Sequence, residues 1–525
     1  MKTNLSHLVA LQARQRPTAP ALTYKDTTVS YGQLDARVTT VASGLRRLGL
    51  SRGERVGIYL DKRLETVEAV FGTARAGAVF APINPLLRPP QVAYILADCD
   101  VRLLVTTPER LEQLRPELAA APKLELIVLA GAEGPESRLG SLRVIPWSVF
   151  TAAEPAVPAA PEPPRVDADV AAIFYTSGST GKPKGVVLSH RNLIVGGESV
   201  SHYLGNTADD VILSLLPLSF DAGFSQLTTA FNVGAQVVLH NYLLPDDAIR
   251  LCAKHRVTGL TGVPPLWLQL ADRPWPAEAS RHVRTFANTG GRMPKPALDR
   301  LRQLLPTARP FLMYGLTEAF RSTYLDPSEV DRRPDSIGRA IPNAEILVVR
   351  PDGSPCDPME HGELVHRGPL VSLGYWRDEE RTRERFRPSP QRDPGITVPE
   401  LAVWSGDIVY RDAEGFLYFV GRRDEMIKTS GYRVSPTEIE EVVYATGMVR
   451  DAVALGREDP RLGQQIVLVV TAAAGLAFSP EALLSRLKQQ LPLYMVPSTV
   501  LVRAELPRSP NGKFDRNLIR QEVQA

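Results

Sequence analysis

The stretch FYTSGSTGKPKG, Phe174 to Gly185, gathers three glycines, four Ser/Thr hydroxyls and two lysines into twelve residues. It grows out of the apolar run VAAIF and leads into VVLSHRNLIV. These patterns predict strand, loop, strand, helix. Amides freed by Gly178 and Gly181, with the hydroxyls of Thr176, Ser177, Ser179 and Thr180, can surround phosphate oxygens, and Lys184 can neutralise their charge. A structural turn is the other reading, whereas a linker of this composition would not ordinarily be clamped between two apolar strands.

Two other glycine loops do not fit. A Walker A loop needs Gly, four residues, then Gly-Lys-Ser/Thr. Here Gly178 and Gly181 are three positions apart and Lys182 is followed by Pro183. A hydrolase elbow, Gly-x-Ser-x-Gly, fails because Ser177 stands where its first glycine would be.

At 525 residues the chain is too long for one ordinary core, so two or more domains are expected. Lys plus Arg number 61 against 58 Asp plus Glu, a formal net charge of +3, which calls for neither nucleic acid nor an anionic membrane. The run WRDEERTRERFRPSPQR interleaves acids with bases, as a solvated helix face does. Cys99, Cys252 and Cys356 lie far apart without metal-ligand spacing, so a reducing, cytoplasmic setting is expected. IVLVVTAAAGLAF is the longest apolar run and is too short to span a bilayer, and the start has no long apolar leader core.

β-rich runs such as RVGIYL, RLLVTT and LELIVLA alternate with helical patterns such as RLETVEAVFGTARAG. This predicts an α/β fold with parallel-rich sheets. The Pro- and Ala-dense segment 152–166 reads as an exposed extended connection. A second break falls near VGRRDEMIKTSGYRVSPTEIEEVV, where a helix is expected after Ser435, with Pro436 in its first turn and Glu438 completing a capping box. The following hundred or so residues suffice for a small α+β domain.

YTSGSTGKPKG resembles the phosphate loop of the AMP-forming adenylating superfamily, which includes acyl-CoA synthetases, adenylation domains of nonribosomal peptide synthetases, and luciferases. Further segments fit in order: FGTARAGAVFAPINP, LPLSFDAGF, NTGGRMP, MYGLTEA, GELVHRGPLVSLGYW, WSGDIVYRDAEGFLYFVGRRDEMIKTSGYR and PRSPNGKFDR. They cover nearly the whole chain. The resemblance implies a large adenylating domain, 1–423, and a small mobile domain, 424–525, hinged at Asp424. It implies ATP and Mg²⁺, attack of a carboxylate on the α-phosphate to give an acyl-adenylate and pyrophosphate, then capture of the acyl group by a thiol.

By resemblance, Lys513 holds carboxylate and phosphate oxygens together, Thr317 donates to the α-phosphate, Glu318 holds Mg²⁺ and Tyr314 stacks on adenine. Gly290 and Gly291 line the adenine and substrate pocket. Asp407 takes both ribose hydroxyls, although WSGD departs from the family's usual Arg-Thr-Gly-Asp, and Arg422 contacts ribose and phosphate. Rotation at the hinge would withdraw Lys513 and bring in KTSGYR, with Gly431, for the thiol step.

The acid pocket is read from LPLSFDAGF, where many acyl-CoA synthetases carry His beside or in place of the aromatic residue. Here Phe220 precedes Asp221, as in peptide-synthetase adenylation domains, whose Asp pairs an α-amino group. A carboxylate among Ala222, Phe224, Ser225, Trp267 and Met313 requires a cation or donors, and a substrate ammonium would supply one. Asp221 as a helix cap is the alternative. The expectation is an amino or imino acid passed to a separate carrier protein's phosphopantetheine thiol. An acyl-CoA synthetase acting on a fatty or other neutral acid with CoA is the alternative, and a non-catalytic nucleotide-binding homologue is a third possibility.

Overall fold

The computed structural model describes residues 1–152, 166–176, 183–293, 295–391, 394–422, 426–473, 478–507, 514 and 516–524, with backbone alone for 421, 422, 437 and 517. Most of the Pro-rich connection, 153–165, therefore lies outside the described residues.

The expected α/β fold is present, with mixed rather than purely parallel sheets. One sheet of eight strands runs through the parallel pairs Arg55–Ile58, Val79–Pro82 and Val101–Thr106 and ends on the hairpin of Val170–Thr176 with Lys184–Ser189. Strands Val79–Pro82 and Val101–Thr106 are buried at all but one position, as parallel strands covered on both faces must be. A second sheet of fourteen strands begins with parallel pairing around Val211–Ser214, Gly259–Gly262, Thr285–Asn288 and Arg309–Tyr314. It turns antiparallel from Thr323–Leu325 onward to Leu401–Arg411 and Leu417–Arg422.

Aromatic residues join the two sheets. Phe224, on helix Asp221–Val233, meets Phe80 and Phe174 at 5.5 Å between ring centroids and Phe71 at 6.5 Å. All four rings are fully buried. Such pairs contribute roughly 0.5–1.5 kcal/mol each beyond area burial. The strand that launches the glycine loop and the helix that carries Asp221 are thereby fixed to one core.

The C-terminal part forms its own five-stranded sheet with strand Gly463–Ala472 at its centre and Val449–Asp459 along one edge, covered by Pro436–Ala445, Pro480–Gln490 and Arg516–Gln524. Ser435 caps Pro436–Ala445 by accepting from the Glu438 amide at 3.3 Å. The reciprocal half of the expected capping box gives way to a longer-range contact: the Glu438 carboxylate accepts from Gln91 at 3.1 Å. Burial pushes that carboxyl up to about 7, opposed by Gln91. Among the described residues no helix is long and apolar enough to cross a membrane.

Candidate active site

The hairpin sets Lys184 directly opposite Thr176, so these two residues bracket the glycine loop. Thr176 Oγ1 is buried without a hydrogen-bond partner among the described residues, as a donor kept for a ligand would be. Ser177, Gly178, Ser179, Thr180 and Gly181 lie outside the described residues, as do Asp424, Lys513 and the side chain of Arg422. The backbone of Arg422 is paired with Asp407 across the Leu401–Arg411 and Leu417–Arg422 ladder.

Lys184 is tied to the Thr-Glu motif by a tyrosine. The segment after Leu370 adds to the exposed edge of Lys184–Ser189: Leu373 donates to Val187, Val187 to Gly374, and Trp376 to Gly185, at 2.7–2.9 Å. This pairing puts the Tyr375 hydroxyl 2.8 Å from Lys184 Nζ and 2.6 Å from Glu318 Oε1. Lys184 Nζ and Glu318 Oε1 are themselves 3.4 Å apart, with side chains 12% and 5% exposed. Burial pulls Lys184 down to about 8, a loss that Glu318 only partly returns. Burial opposes ionisation of Glu318 too, but Lys184, Arg433 and the Tyr375 hydroxyl outweigh it and hold the carboxyl well below its ordinary range. An ionised carboxylate in this position fits a Mg²⁺ ion held mainly by phosphate oxygens. Among the described residues no cluster of three or more His, Cys, Asp or Glu forms an all-protein metal site.

Thr317 and Glu318 lie on a short 3₁₀ turn, Thr317–Ala319, following strand Arg309–Tyr314. At that strand's end the Tyr314 hydroxyl donates to Asp407 Oδ2 at 2.5 Å. Ser405, the departure from the family pattern, keeps the geometry with a shorter side chain: its hydroxyl accepts from the Asp407 amide at 3.1 Å and donates to Leu364 O at 2.7 Å. The nucleotide candidates Lys184, Glu318, Tyr314 and Asp407 are thus joined through two tyrosine hydroxyls.

Gly290 follows Thr285–Asn288 with φ +74°, and Gly431 has φ +82°. Both face Val263: a Cβ on Gly290 would stand 3.2 Å from Val263 Cγ1, and one on Gly431 would stand 2.8 Å from Val263 Cγ2. Gly291 abuts Pro264 in the same turn. Next to Gly431, Tyr432 packs edge-on to Phe220 at 4.9 Å and stacks on Tyr494 at 3.7 Å. The KTSGYR segment therefore lies against the Phe220 and Gly290 segments.

The acid-pocket candidates divide. Asp221 is the first residue of helix Asp221–Val233, one position past the N-cap Phe220, and its carboxylate is favoured by the Ala222 amide of the same turn. The carboxylate does not face only apolar groups: Arg321 Nη1 lies 3.7 Å from Asp221 Oδ2. Burial raises the Asp221 carboxyl above its ordinary range, with Arg321 and the Ala222 amide opposing the rise. Ser225 Oγ lies 3.4 Å from Thr229 Oγ1, and Met313 Sδ accepts from Tyr203 at 2.9 Å. Trp267 is fully buried against Phe286 at 5.6 Å, in the core cluster that includes Ala222, with Nε1 unpartnered among the described residues.

Sequence reasoning missed four polar groups. Tyr375 and Arg433 stand inside segments already singled out, GELVHRGPLVSLGYW and KTSGYR, so a search of those segments for donors would have found them. Arg321 follows Glu318 by three positions with no pattern around it, and Lys62 is far from every motif. Lys62 is buried with its ammonium in a cage of three successive carbonyls, Ser214, Leu215 and Leu216, at 2.7–3.1 Å, just before the Phe220 segment.

An α/β body with this polar site and a small C-terminal α+β unit defines an adenylate-forming enzyme. Residues 9–376 match the model of the AMP-binding enzyme family and 438–513 match the AMP-binding enzyme C-terminal domain, and the chain belongs to that family. It is an ATP-dependent, AMP-forming acid–thiol ligase that uses ATP and Mg²⁺. It is 33% identical to a sulfoacetate–CoA ligase of Cupriavidus necator, over 98% of this chain and 96% of that protein. It is 31% identical to a feruloyl-CoA synthase of an Amycolatopsis species, over 97% of each. Among solved structures, the o-succinylbenzoate CoA synthetase of Bacillus subtilis, bound with a product analogue, superposes with a TM-score of 0.82 at 26% identity, covering 98% of both chains.

Proposed function

We propose that the protein is an acyl-CoA synthetase. A carboxylate oxygen attacks the α-phosphorus of ATP and pyrophosphate leaves; the CoA sulfur then attacks the acyl carbon, its proton is released to solvent, and AMP leaves. In the first half-reaction Lys184 and the Thr176 hydroxyl meet phosphate oxygens, Thr317 donates to the α-phosphate, and Asp407 with Tyr314 holds the ribose. Mg²⁺ on Glu318 would offset the charge that crowds between the two anions. Lys513 joins the carboxylate to the phosphate in this half. In the second half a rotation of 424–525 about Asp424 exchanges Lys513 for the Gly431 segment.

The observation that carries this reading is the packing of Gly431 and Tyr432 against Val263 and Phe220, which suits the thiol half of the cycle. The relatives named above are CoA ligases of matching length, which favours CoA over the carrier protein expected from Asp221. The Arg321 guanidinium beside Asp221 offers that carboxylate a cation other than a substrate ammonium.

The test supplies ATP, Mg²⁺ and an acid panel with either CoA or a phosphopantetheinylated carrier protein, and separates the thioesters by mass spectrometry. Acyl-CoA is the expected product. A thioester formed only on the carrier overturns the proposal.

A further inference from the structure

Arg321 is 2% exposed, and its guanidinium is poorly matched. Nη1 reaches Thr289 Oγ1 at 3.4 Å and Asp221 Oδ2 at 3.7 Å, and Nε is buried with no hydrogen-bond partner among the described residues. Charge-assisted bonds to carboxylate normally close to about 2.7–2.9 Å. A guanidinium has five donors in a rigid fork, and burying it with such partners costs free energy unless something else meets it. The position is equally specific. Arg321 follows the Thr317–Ala319 turn, Thr289 precedes Gly290 and Gly291, and Asp221 opens its helix beside Phe220. Arg321 thereby ties together three segments that the resemblance assigns to the nucleotide and the acid, and the inference rests on the acid-activating step of the acyl-CoA synthetase reading.

We propose that Arg321 is a specificity-determining residue that binds a second oxyanion, a sulfonate or a carboxylate, at the end of the acid remote from the carboxylate being activated. An oxyanion fits the fork better than a hydroxyl because two parallel N–H donors can serve two of its oxygens. The surrounding charge permits it. Asp221 is faced by Arg321, Glu318 and Arg433, and Glu318 is already paired with Lys184. Asp221 is the charge that opposes an anion here, and burial raises its carboxyl above the ordinary range, the direction that lessens the opposition. An amino-acid substrate would instead call for Asp221 turned from Arg321 toward the substrate ammonium.

The test measures acid-dependent exchange of labelled pyrophosphate into ATP with matched aliphatic and aryl pairs: succinate against butyrate, 3-sulfopropionate against pentanoate, and 4-carboxyphenylacetate against 4-methylphenylacetate. Exchange needs no CoA, so its outcome is separate from the choice of acceptor. The expected result is exchange favouring at least one distal-anion acid by on the order of 10- to 100-fold over its uncharged partner. Arg321→Met should abolish that preference, Arg321→Lys should restore part of it, and Asp221→Asn, which removes the opposing carboxylate, should keep it. Preference for the uncharged acids, exchange with none of the distal-anion acids, or an unchanged preference in Arg321→Met overturns the inference. Sulfonate and carboxylate members of the panel decide which oxyanion is read. Acyl-CoA formed from uncharged acids alone would sink this inference and leave the CoA reading intact; distal-anion exchange without acyl-CoA would do the reverse.

Discussion

The two halves of the candidate site are built differently. On the nucleotide side Lys184, Tyr375 and Glu318 close at 2.6–3.4 Å, and Tyr314 meets Asp407 at 2.5 Å. On the acid side Arg321 approaches Asp221 and Thr289 only at 3.7 and 3.4 Å. Both sets are buried, so solvent does not account for the difference. The tight half keeps its charges satisfied before any ligand binds and orients them for a phosphate chain common to every turnover. The loose half holds charge whose partner comes with the acid. Preorganisation is most effective where the ligand never changes, and selectivity resides where pairing is left incomplete.

The largest effect expected of any single change lies in neither half. Lys513→Ala should lower acid-dependent pyrophosphate exchange by roughly 10² to 10³, the cost of removing one charge-stabilising donor. Thioester formation from supplied acyl-adenylate should be spared. Unaltered exchange would show that the described residues alone perform adenylation.

Tyr375→Phe sharpens the contrast next. It removes the donor to Glu318 and the acceptor of Lys184, and bonds to charged groups are worth roughly 1.5–3 kcal/mol. A rise of about 10- to 100-fold in KM for MgATP is expected, with KM for the acid moving far less. Equal changes in both would break the division into halves.

A pH series probes the tight half without mutation. Lys184, pulled by burial from 10.5 to about 8, is charged below that pH and neutral above it, so KM for ATP should climb above pH 8. Because the unfolded chain binds the extra proton between about pH 8 and 10.5, this group makes folding more stable as pH rises through that window, and unfolding does not explain the climb. Lys184→Arg should remove the break within the accessible range.

The last effect is on stability, behind the acid half, and leaves catalysis at neutral pH untouched. His366 is fully buried with Nδ1 2.9 Å from Ser322 Oγ, and burial lowers its pKa from 6.5 to about 3. Its contribution is complete above pH 6.5 and falls as pH drops toward 3, by up to about 1.4 kcal/mol per unit. His366→Gln should flatten the urea-unfolding free energy between pH 6 and 4 by that proton's share. An unchanged slope would assign the acid sensitivity elsewhere.

Legibility followed the same division. Thr176 and Lys184 were readable because both belong to one hairpin, and Thr317 with Glu318 because both belong to one turn. Tyr375 was not, since it reaches Lys184 across 191 residues through edge pairing that leaves no local pattern. Asp221 was read as a salt-bridge candidate, yet its partner was expected in the substrate and is Arg321, a hundred positions away. Trp267 packs against Phe286 in the core, and only the tertiary contacts show that its indole N–H is buried without a partner among the described residues.

The sequence by itself determined the α/β class, the small C-terminal unit and the family, and marked the nucleotide-side candidates, because glycine spacing, hydrophobic period and short polar motifs act over a few neighbouring positions. Only the tertiary structure decided which charges meet. It brought Tyr375 between Lys184 and Glu318, turned Glu438 toward Gln91, laid Gly431 on Val263 and faced Asp221 with a half-matched guanidinium. The physical reason is that a buried charge is settled by whatever lies within about 4 Å of it, and chain distance does not fix those neighbours.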